Sequence, residues 1–267
     1  MSFLEPAFMQ RALLAAVLVG VTAPAIGTYL VQRRLALMGD GIGHVALTGV
    51  ALGLLVGTAP LLTAVVLALV GGLAIELLRE RGRTSGDVAL AILFYGGIAG
   101  GVLLVGLSPK TTSTGLLGYL FGSVSSVQRD DLYVIAGLCV AVLTLLALWR
   151  RELFAVSLDE DVARVSGLPV RFSNLLVAGT AALTVTVAMR VVGLLLVSAL
   201  MVVPVAAAQQ LARSFRATFI GSLVVGVAAS VGGLIVAYYA DVAPGAAIVL
   251  LAIGIFVVTV VTSRVTR

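Results

Sequence analysis

The chain has 267 residues, of which 61% are apolar and only 11% carry a formal charge. Soluble globular domains average about 45–50% apolar and about 25% charged residues. This composition therefore excludes an ordinary soluble enzyme, a disordered chain and a nucleic-acid-binding domain. The net charge of +5 must have a cause other than binding to nucleic acid or to an acidic partner.

Nine apolar runs approach the length of about 20 residues that a helix needs to cross a hydrocarbon layer about 30 Å thick. The runs are continuous and do not alternate as membrane strands do, which predicts helices. The sequence therefore predicts a single all-α transmembrane domain over 1–267, a polytopic bundle with about nine spans. The run at 191–212 contains Pro204 and is predicted to lie in the bundle interior, so eight full spans remain the alternative. The predicted spans are 12–31, 42–58, 60–78, 87–108, 130–149, 172–189, 191–212, 217–238 and 243–263.

The basic residues are distributed unevenly between the two sides that these spans define. If the loop at 79–83 is cytoplasmic, thirteen of the 17 basic residues lie on the cytoplasmic side. Loops on that side of a membrane are enriched in Lys and Arg. The distribution predicts an N-terminus outside and a C-terminus in the cytoplasm, and it accounts for the positive net charge.

The second span is too short unless it includes polar residues. Its uninterrupted apolar stretch, 45–58, corresponds to about 21 Å of helix, whereas extension back to Asp40 gives about 29 Å. Asp40 and His44, the only histidine of the chain, would then share one helix face. Spacing alone leaves two interpretations open: a helix cap with a hydrogen-bonded histidine, or two ligands for Zn²⁺ or Mn²⁺. Two copies meeting at a symmetry axis could complete a site that one chain cannot.

The longest hydrophilic interruption, 150–174, is predicted to lie in the cytoplasm. Ser157 and Glu160 have the spacing of a capping box, and Asp159, Glu160 and Asp161 fall in the first turn, where the helix dipole favours anions. Gly167 and Pro169 would end the helix. We expect a short helix at about 158–166, which is either a solvated connector or a docking element for a cytoplasmic partner.

Sequence motifs of membrane hydrolases and of ATPases are missing from the chain. It has neither H-E-x-x-H nor G-x-S-x-G, and its single lysine, Lys110, does not follow a Walker A loop. The chain is therefore predicted not to be an enzyme, and active transport would need ATP hydrolysis on another polypeptide. A proton-coupled secondary metal transporter is the alternative.

Five blocks carry a resemblance to a known family: RRLALMGDGIGHVALTGVALG (33–53), LLGYLFGSV (116–124), LDEDVARVSGLPV (158–170), VVGLLLVSALMVVPVAAAQQLAR (191–213) and DVAPGAAIVL (241–250). Over nearly its whole length the chain resembles the membrane permease subunits of bacterial zinc/manganese ABC importers. The first and fourth blocks are the most specific.

The resemblance implies a multi-pass protein of the bacterial plasma (inner) membrane that works as a homodimer. It also implies cytoplasmic ATP-binding subunits, an extracytoplasmic metal-binding protein, and no permanently bound cofactor. By the same resemblance, Asp40 and His44 match the metal pathway. The residues implied in coupling to the ATPase are Asp159, Glu160, Asp161, Arg164, Gly167 and Pro169. Neither the residues nor the resemblance distinguishes Zn²⁺ from Mn²⁺.

Overall fold

The computed structural model describes residues 7–80, 86–107, 129–189 and 192–265, together with residues 118, 120 and 122. Its regular elements in these ranges are helices, and strands are not found there. The helices are α1 (Ala7–Gln32), α2 (Met38–Val56), α3 (Pro60–Glu80), α4 (Gly86–Gly106), α5 (Arg129–Leu148), α6 (Arg150–Leu158), α7 (Glu160–Val165), α8 (Val170–Ala188), α9 (Leu194–Leu211), α10 (Phe215–Ala240) and α11 (Pro244–Val265).

Eight of the described helices are long and apolar enough to cross a membrane: α1 to α5, α8, α10 and α11. This result confirms the predicted class, an all-α polytopic membrane protein, and eight is the number of such spans among the described residues. The shorter apolar helix α9 corresponds to the run whose crossing was left open. Pro204 lies within α9, which continues to Leu211.

The helices pack in an order that places α8 and α9 at the centre. On one side α2 lies between α3 and α4, and this group contacts α8 and α9. Helix α1 packs against α8 and α9, and also against α5 and α10. The last helix, α11, packs on α9 and α10. Helices α2 and α1 are consecutive in the chain, but α8 and α9 lie between them.

Glycines allow the closest helix approaches, as small residues do at membrane helix interfaces. A Cβ atom at Gly27 of α1 would overlap the carbonyl oxygen of Met201 in α9. At Gly97 of α4 a Cβ atom would lie 2.7 Å from the backbone carbonyl carbon of His44. Helix α4 therefore rests directly on the backbone of α2 at the position of a predicted metal ligand.

One end of the bundle, which we call the charged end, brings together the ends of several helices. The C-terminal ends of α1 and α3 meet α6 and the first turn of α8 there: Arg33 donates to Ser157, and Arg171 forms an ion pair with Glu80 at 3.1 Å. The start of α10 lies at the same end, because Phe215 packs against Tyr29 of α1 and Phe154 of α6.

The connector between α5 and α8 contains two short helices where one was expected at about 158–166. Ser157 lies inside α6, and its hydroxyl donates to the carbonyl of Leu153 at 2.6 Å, so it does not cap the next helix. Asp159 takes the cap position of α7, since its extended backbone lets Oδ1 accept from the amides of Asp161 and Val162, both at 3.0 Å.

The end of this connector contains Gly167, a residue that was predicted to terminate its short helix. Gly167 has a φ of +79°, in the left-handed region that residues with a Cβ rarely adopt. Its position follows the last turn of α7, as is common for a glycine that ends a helix. Pro169 then precedes the first residue of α8.

Candidate metal site

Asp40 lies in the first turn of α2, and it does not cap that helix. The cap position is Leu37, which makes no side-chain capping hydrogen bond. The Asp40 carboxylate instead accepts a hydrogen bond from the Ser198 hydroxyl of α9 at 3.1 Å. The interpretation of Asp40 as a simple helix cap is therefore not supported. Ser198 was not singled out in the sequence, although a lone serine in the apolar run of α9 was a usable signal.

His44 lies one turn further along the same face of α2. Its ring stands edge-on to Phe94 of α4, with ring centroids 4.5 Å apart. The ring atom Nδ1 is buried and has no hydrogen-bond partner, so the backbone carbonyl expected for a structural histidine is not bonded there. Burying an unpaired polar atom is costly, and such an atom is available to a ligand.

A cavity of about 340 Å³ opens between α2 and α4 beside this pair. The Asp40 carboxylate reaches it, and its other walls are mainly apolar and aromatic. His44 does not line the cavity, although its ring contacts Phe94, which does. The lining residues are Leu37, Asp40, Leu90, Ala91, Phe94 and Tyr95. Phe94 and the cavity depend on how α4 packs on α2, and the sequence analysis did not identify them.

The pair lies where the start of α2 meets α9. Ser198, which contacts Asp40, precedes the end of α9 at Leu211 by about 20 Å of helix axis. Helix α9 leads there directly to Phe215 at the charged end. Asp40 and His44 lie in the first two turns of α2, a helix that could cross a membrane, and Asp40 is only seven residues after Arg33. An ionisable pair within such a helix is expensive and usually functional.

One copy of the chain supplies few metal ligands at this position. Across the described ranges, no group of three or more His, Cys, Asp or Glu side chains could hold a metal ion. A carboxylate and an imidazole together suit borderline divalent cations. Asp40 and His44 could therefore contribute two ligands, and further ligands would have to come from water or from a second copy.

A second polar cluster lies at the charged end and is centred on Arg33. Its guanidinium donates to Ser157 Oγ at 3.0 Å and to Asn174 Oδ1 at 2.6 Å. Asn174 in turn donates to Glu160 at 3.3 Å, and Glu160 pairs with Arg164 at 3.1 Å. This cluster joins the end of α1 to α6, α7 and α8.

Arg33 remains charged in this cluster despite its burial. Burial lowers the pKa of Arg33 to about 10, and the nearby charge of Arg79 adds to the effect. Glu76 and Glu160 act in the opposite direction. A pKa of about 10 still leaves the guanidinium protonated at neutral pH. In the sequence, Arg33 is one of many basic loop residues, and no local pattern marks its role in this cluster.

The residues implied in coupling to the ATPase lie together on the surface of this cluster. Glu160 is half-buried, and the other five are exposed: Asp159, Asp161, Arg164, Gly167 and Pro169. A cavity of about 570 Å³ separates α7 from α8, lined in part by Glu80, Glu160 and Arg171. The exposed residues and the cavity together form a polar surface at the charged end.

We expect Arg33→Gln to destabilise the protein, because it removes a half-buried cation and leaves Ser157 and Asn174 without their donor. The free energy of unfolding should fall by more than about 1 kcal/mol, measured by thermal unfolding of the purified protein in detergent. Arg34→Gln is the matched control, since Arg34 is exposed and should change stability by less than about 0.5 kcal/mol. Equal stability of the two variants would contradict the structural role of Arg33.

The chain is similar to known transport proteins over most of its length. The model of the ABC 3 transport family matches residues 5–263. The manganese import system permease protein ScaB of Streptococcus gordonii is 33% identical over 94% of this chain and 90% of its own length. The high-affinity zinc uptake system membrane protein ZnuB of Haemophilus influenzae is 29% identical over 93% of this chain and 95% of its own length.

A solved structure has a similar fold over most of the chain. The structure described as PsaBC from Streptococcus pneumoniae in complex with Fab has a TM-score of 0.86 and 33% identity, covering 96% of this chain and 91% of that one. With its apolar helices, the similarity identifies a multi-pass protein of the bacterial inner membrane. The match over residues 5–263 and the shared fold lead to one conclusion: this chain belongs to the ABC 3 transport family.

Proposed function

We propose that this chain is the membrane permease subunit of an ATP-driven importer of divalent metal ions, with Mn²⁺ and Zn²⁺ as the candidate cargoes. The observation that carries the proposal is a carboxylate and an imidazole, Asp40 and His44, on one face of a helix that could cross a membrane, α2, with the carboxylate bonded to Ser198 of α9. Relatives named for manganese import and for zinc uptake support both cargoes. Nothing in the comparisons supports a proton-coupled mechanism.

Two copies of the chain would form the metal pathway, with Asp40 and His44 of each copy facing a shared axis. A divalent ion must exchange part of its water shell for protein ligands to cross the membrane. Two carboxylates and two imidazoles offer four such ligands. The Ser198 hydroxyl orients the carboxylate of Asp40, and the unpaired Nδ1 of His44 is available as a ligand. Incomplete coordination within each copy suits transit better than storage.

The polar surface at the charged end would receive the ATP-binding subunit. Its acidic α7 is exposed at Asp159 and Asp161, and the Arg33 cluster fastens α7 to α1 and α8. A movement of α7 would therefore be transmitted to the end of α1 through the hydrogen bonds of Glu160, Asn174 and Arg33. ATP would be bound and hydrolysed on that subunit, and an extracytoplasmic protein would deliver the metal to the opposite end of the bundle.

The metal-ligand role is tested by Asp40→Asn and His44→Asn in a cell that lacks its own metal importer. Each amide keeps hydrogen-bonding ability but is a much poorer ligand for a divalent cation. We expect expression near that of the unmodified protein. Uptake of radioactive metal should fall by at least about 90%, because each variant removes one of only a few ligands. Asp241→Asn is the control, because it makes the same change at an exposed turn.

Near-normal uptake by a variant that carries both Asp40→Asn and His44→Asn would contradict the ligand role. The same assay separates the two transport mechanisms when vesicles replace cells. Uptake by the assembled importer should need ATP, whereas uptake driven by a pH gradient without ATP would support the proton-coupled alternative.

The coupling role of the connector is tested at Gly167. We expect Gly167→Val to reduce metal-stimulated ATP hydrolysis by at least about tenfold, because a β-branched residue is strained at a φ of +79°. Gly167→Asn is the matched control, since asparagine tolerates this conformation better. No side chain or backbone atom within 4 Å would meet a Cβ here, so the contrast isolates backbone conformation. Equal coupling in both variants would contradict the proposal.

The proposed orientation puts the charged end in the cytoplasm and the N-terminus outside. We expect an impermeant thiol reagent added to intact cells to label Thr58→Cys and to leave Ser166→Cys unlabelled, both made in a Cys139→Ala background. Both positions are exposed, at opposite ends of the bundle, whereas Cys139 is buried. The reverse labelling pattern would overturn the orientation.

A further inference from the structure

A large groove lies at the charged end between α1, α5, α6 and α10. Its volume is about 800 Å³, within the range of about 300–1,000 Å³ typical of ligand sites. We call it the basic-rimmed groove. Its apolar walls include Leu143 and Leu146 of α5, Phe154 of α6, and Phe219 and Leu223 of α10. Tyr29 of α1 lines it as well.

The rim of the groove is strongly basic. Arg150 and Arg151 begin α6 on one side, and Arg216 lies in the first turn of α10 on the other. All three are exposed, and no acidic side chain is among the described residues that line the groove. Both rim segments are helix N-termini, whose partial positive charge also favours anions. The rim therefore suits a phosphate group.

The groove has an apolar part and a basic part, which correspond in character to the acyl chains and the headgroups of a bilayer. Leu143, Leu146, Phe219 and Leu223 belong to helices that could cross a membrane, α5 and α10. The three arginines lie at the ends of these helices or just beyond them. A molecule with apolar chains and an anionic head would match both parts at once, and basic pockets between membrane helices bind such lipids.

The groove is separate from the candidate metal site. Asp40 and the cavity beside it lie between α2 and α4, and α8 and α9 intervene between that group and α1. The proposed pairing of two copies around Asp40 would therefore leave the groove open to lipid. This position favours a membrane lipid over a second copy as its occupant.

We propose that the basic-rimmed groove binds an anionic phospholipid, with its phosphate between Arg150, Arg151 and Arg216. One acyl chain lies along the apolar walls formed by α5 and α10. The lipid would fill the space between α6 and α10 and would hold the first turn of α6 against the bundle.

The proposal is tested by fluorescence quenching with brominated lipids. The only tryptophan of the chain is Trp149, so Trp149→Phe combined with Phe219→Trp places a single reporter in the groove. The purified protein is reconstituted in phosphatidylcholine with increasing amounts of brominated phosphatidylglycerol, and separately with brominated phosphatidylcholine. Basic residues near a membrane surface attract anionic lipid, so we expect quenching by the anionic lipid at about tenfold lower mole fraction.

Matched charge variants separate a specific site from general surface charge. Replacing Arg150 and Arg216 by Gln should abolish the preference for phosphatidylglycerol. Replacing Arg34 and Arg264, two exposed arginines outside the groove, should preserve it. Leu223→Trp provides a second reporter if Phe219→Trp does not fold. Mass spectrometry of lipid retained by the otherwise unmodified protein repeats the comparison without a reporter.

Three results would overturn the proposal. Equal quenching by the two brominated lipids would mean ordinary contact with bulk lipid. Equal loss of preference in both charge variants would mean general electrostatic attraction. Protection of the reporter from both lipids would mean that a second copy covers the groove. If this protection appears only after the ATP-binding subunit is added, that subunit covers the groove.

Discussion

A polar side chain inside a lipid-embedded bundle must find its partner within the protein, because hydrocarbon offers none. Hydrogen bonds between polar side chains connect distant parts of this chain, and two sets of them involve a charged group, one at the start of α2 and one at the charged end. Asp40 accepts from Ser198, which ties α2 to α9. Arg33 donates to Ser157 and Asn174, which ties α1 to α6 and α8. Together with the close backbone contacts at Gly27 and Gly97, these bonds restrict which helices meet and in what register.

The charged groups of these two sets of bonds are close in the sequence although the bonds join different helices. Arg33 and Asp40 are separated by one short link between α1 and α2. The Arg33 cluster reaches Glu160 and the exposed α7, while Asp40 reaches the cavity between α2 and α4. A rearrangement of α7 would therefore act on a side chain that directly precedes the helix carrying the proposed metal ligands. This arrangement would give a short physical connection between the proposed docking surface for the ATP-binding subunit and the proposed metal ligands.

Much of the fold could be predicted from the sequence, because in a membrane the length of an apolar run nearly determines the element it forms. The predicted run at 60–78 became α3, Pro60–Glu80, and the run at 130–149 became α5. The extension of the second span back to Asp40 agrees with α2, which begins at Met38. The expected capping by Ser157 was wrong, because a serine within a helix bonds its own i−4 carbonyl and Asp159 was better placed.

The sequence by itself determined the class of protein, the helical spans, the pairing of Asp40 with His44 on one helix face and the left-handed glycine at 167, since all of these depend on local spacing and residue type. The tertiary structure decided which partners the polar residues have. Ser198 is 158 residues from Asp40, and Asn174 is 141 residues from Arg33. Local patterns contain no information about contacts at such separations. These contacts arise only when the helices pack, and buried polar atoms select the packing in which they are satisfied.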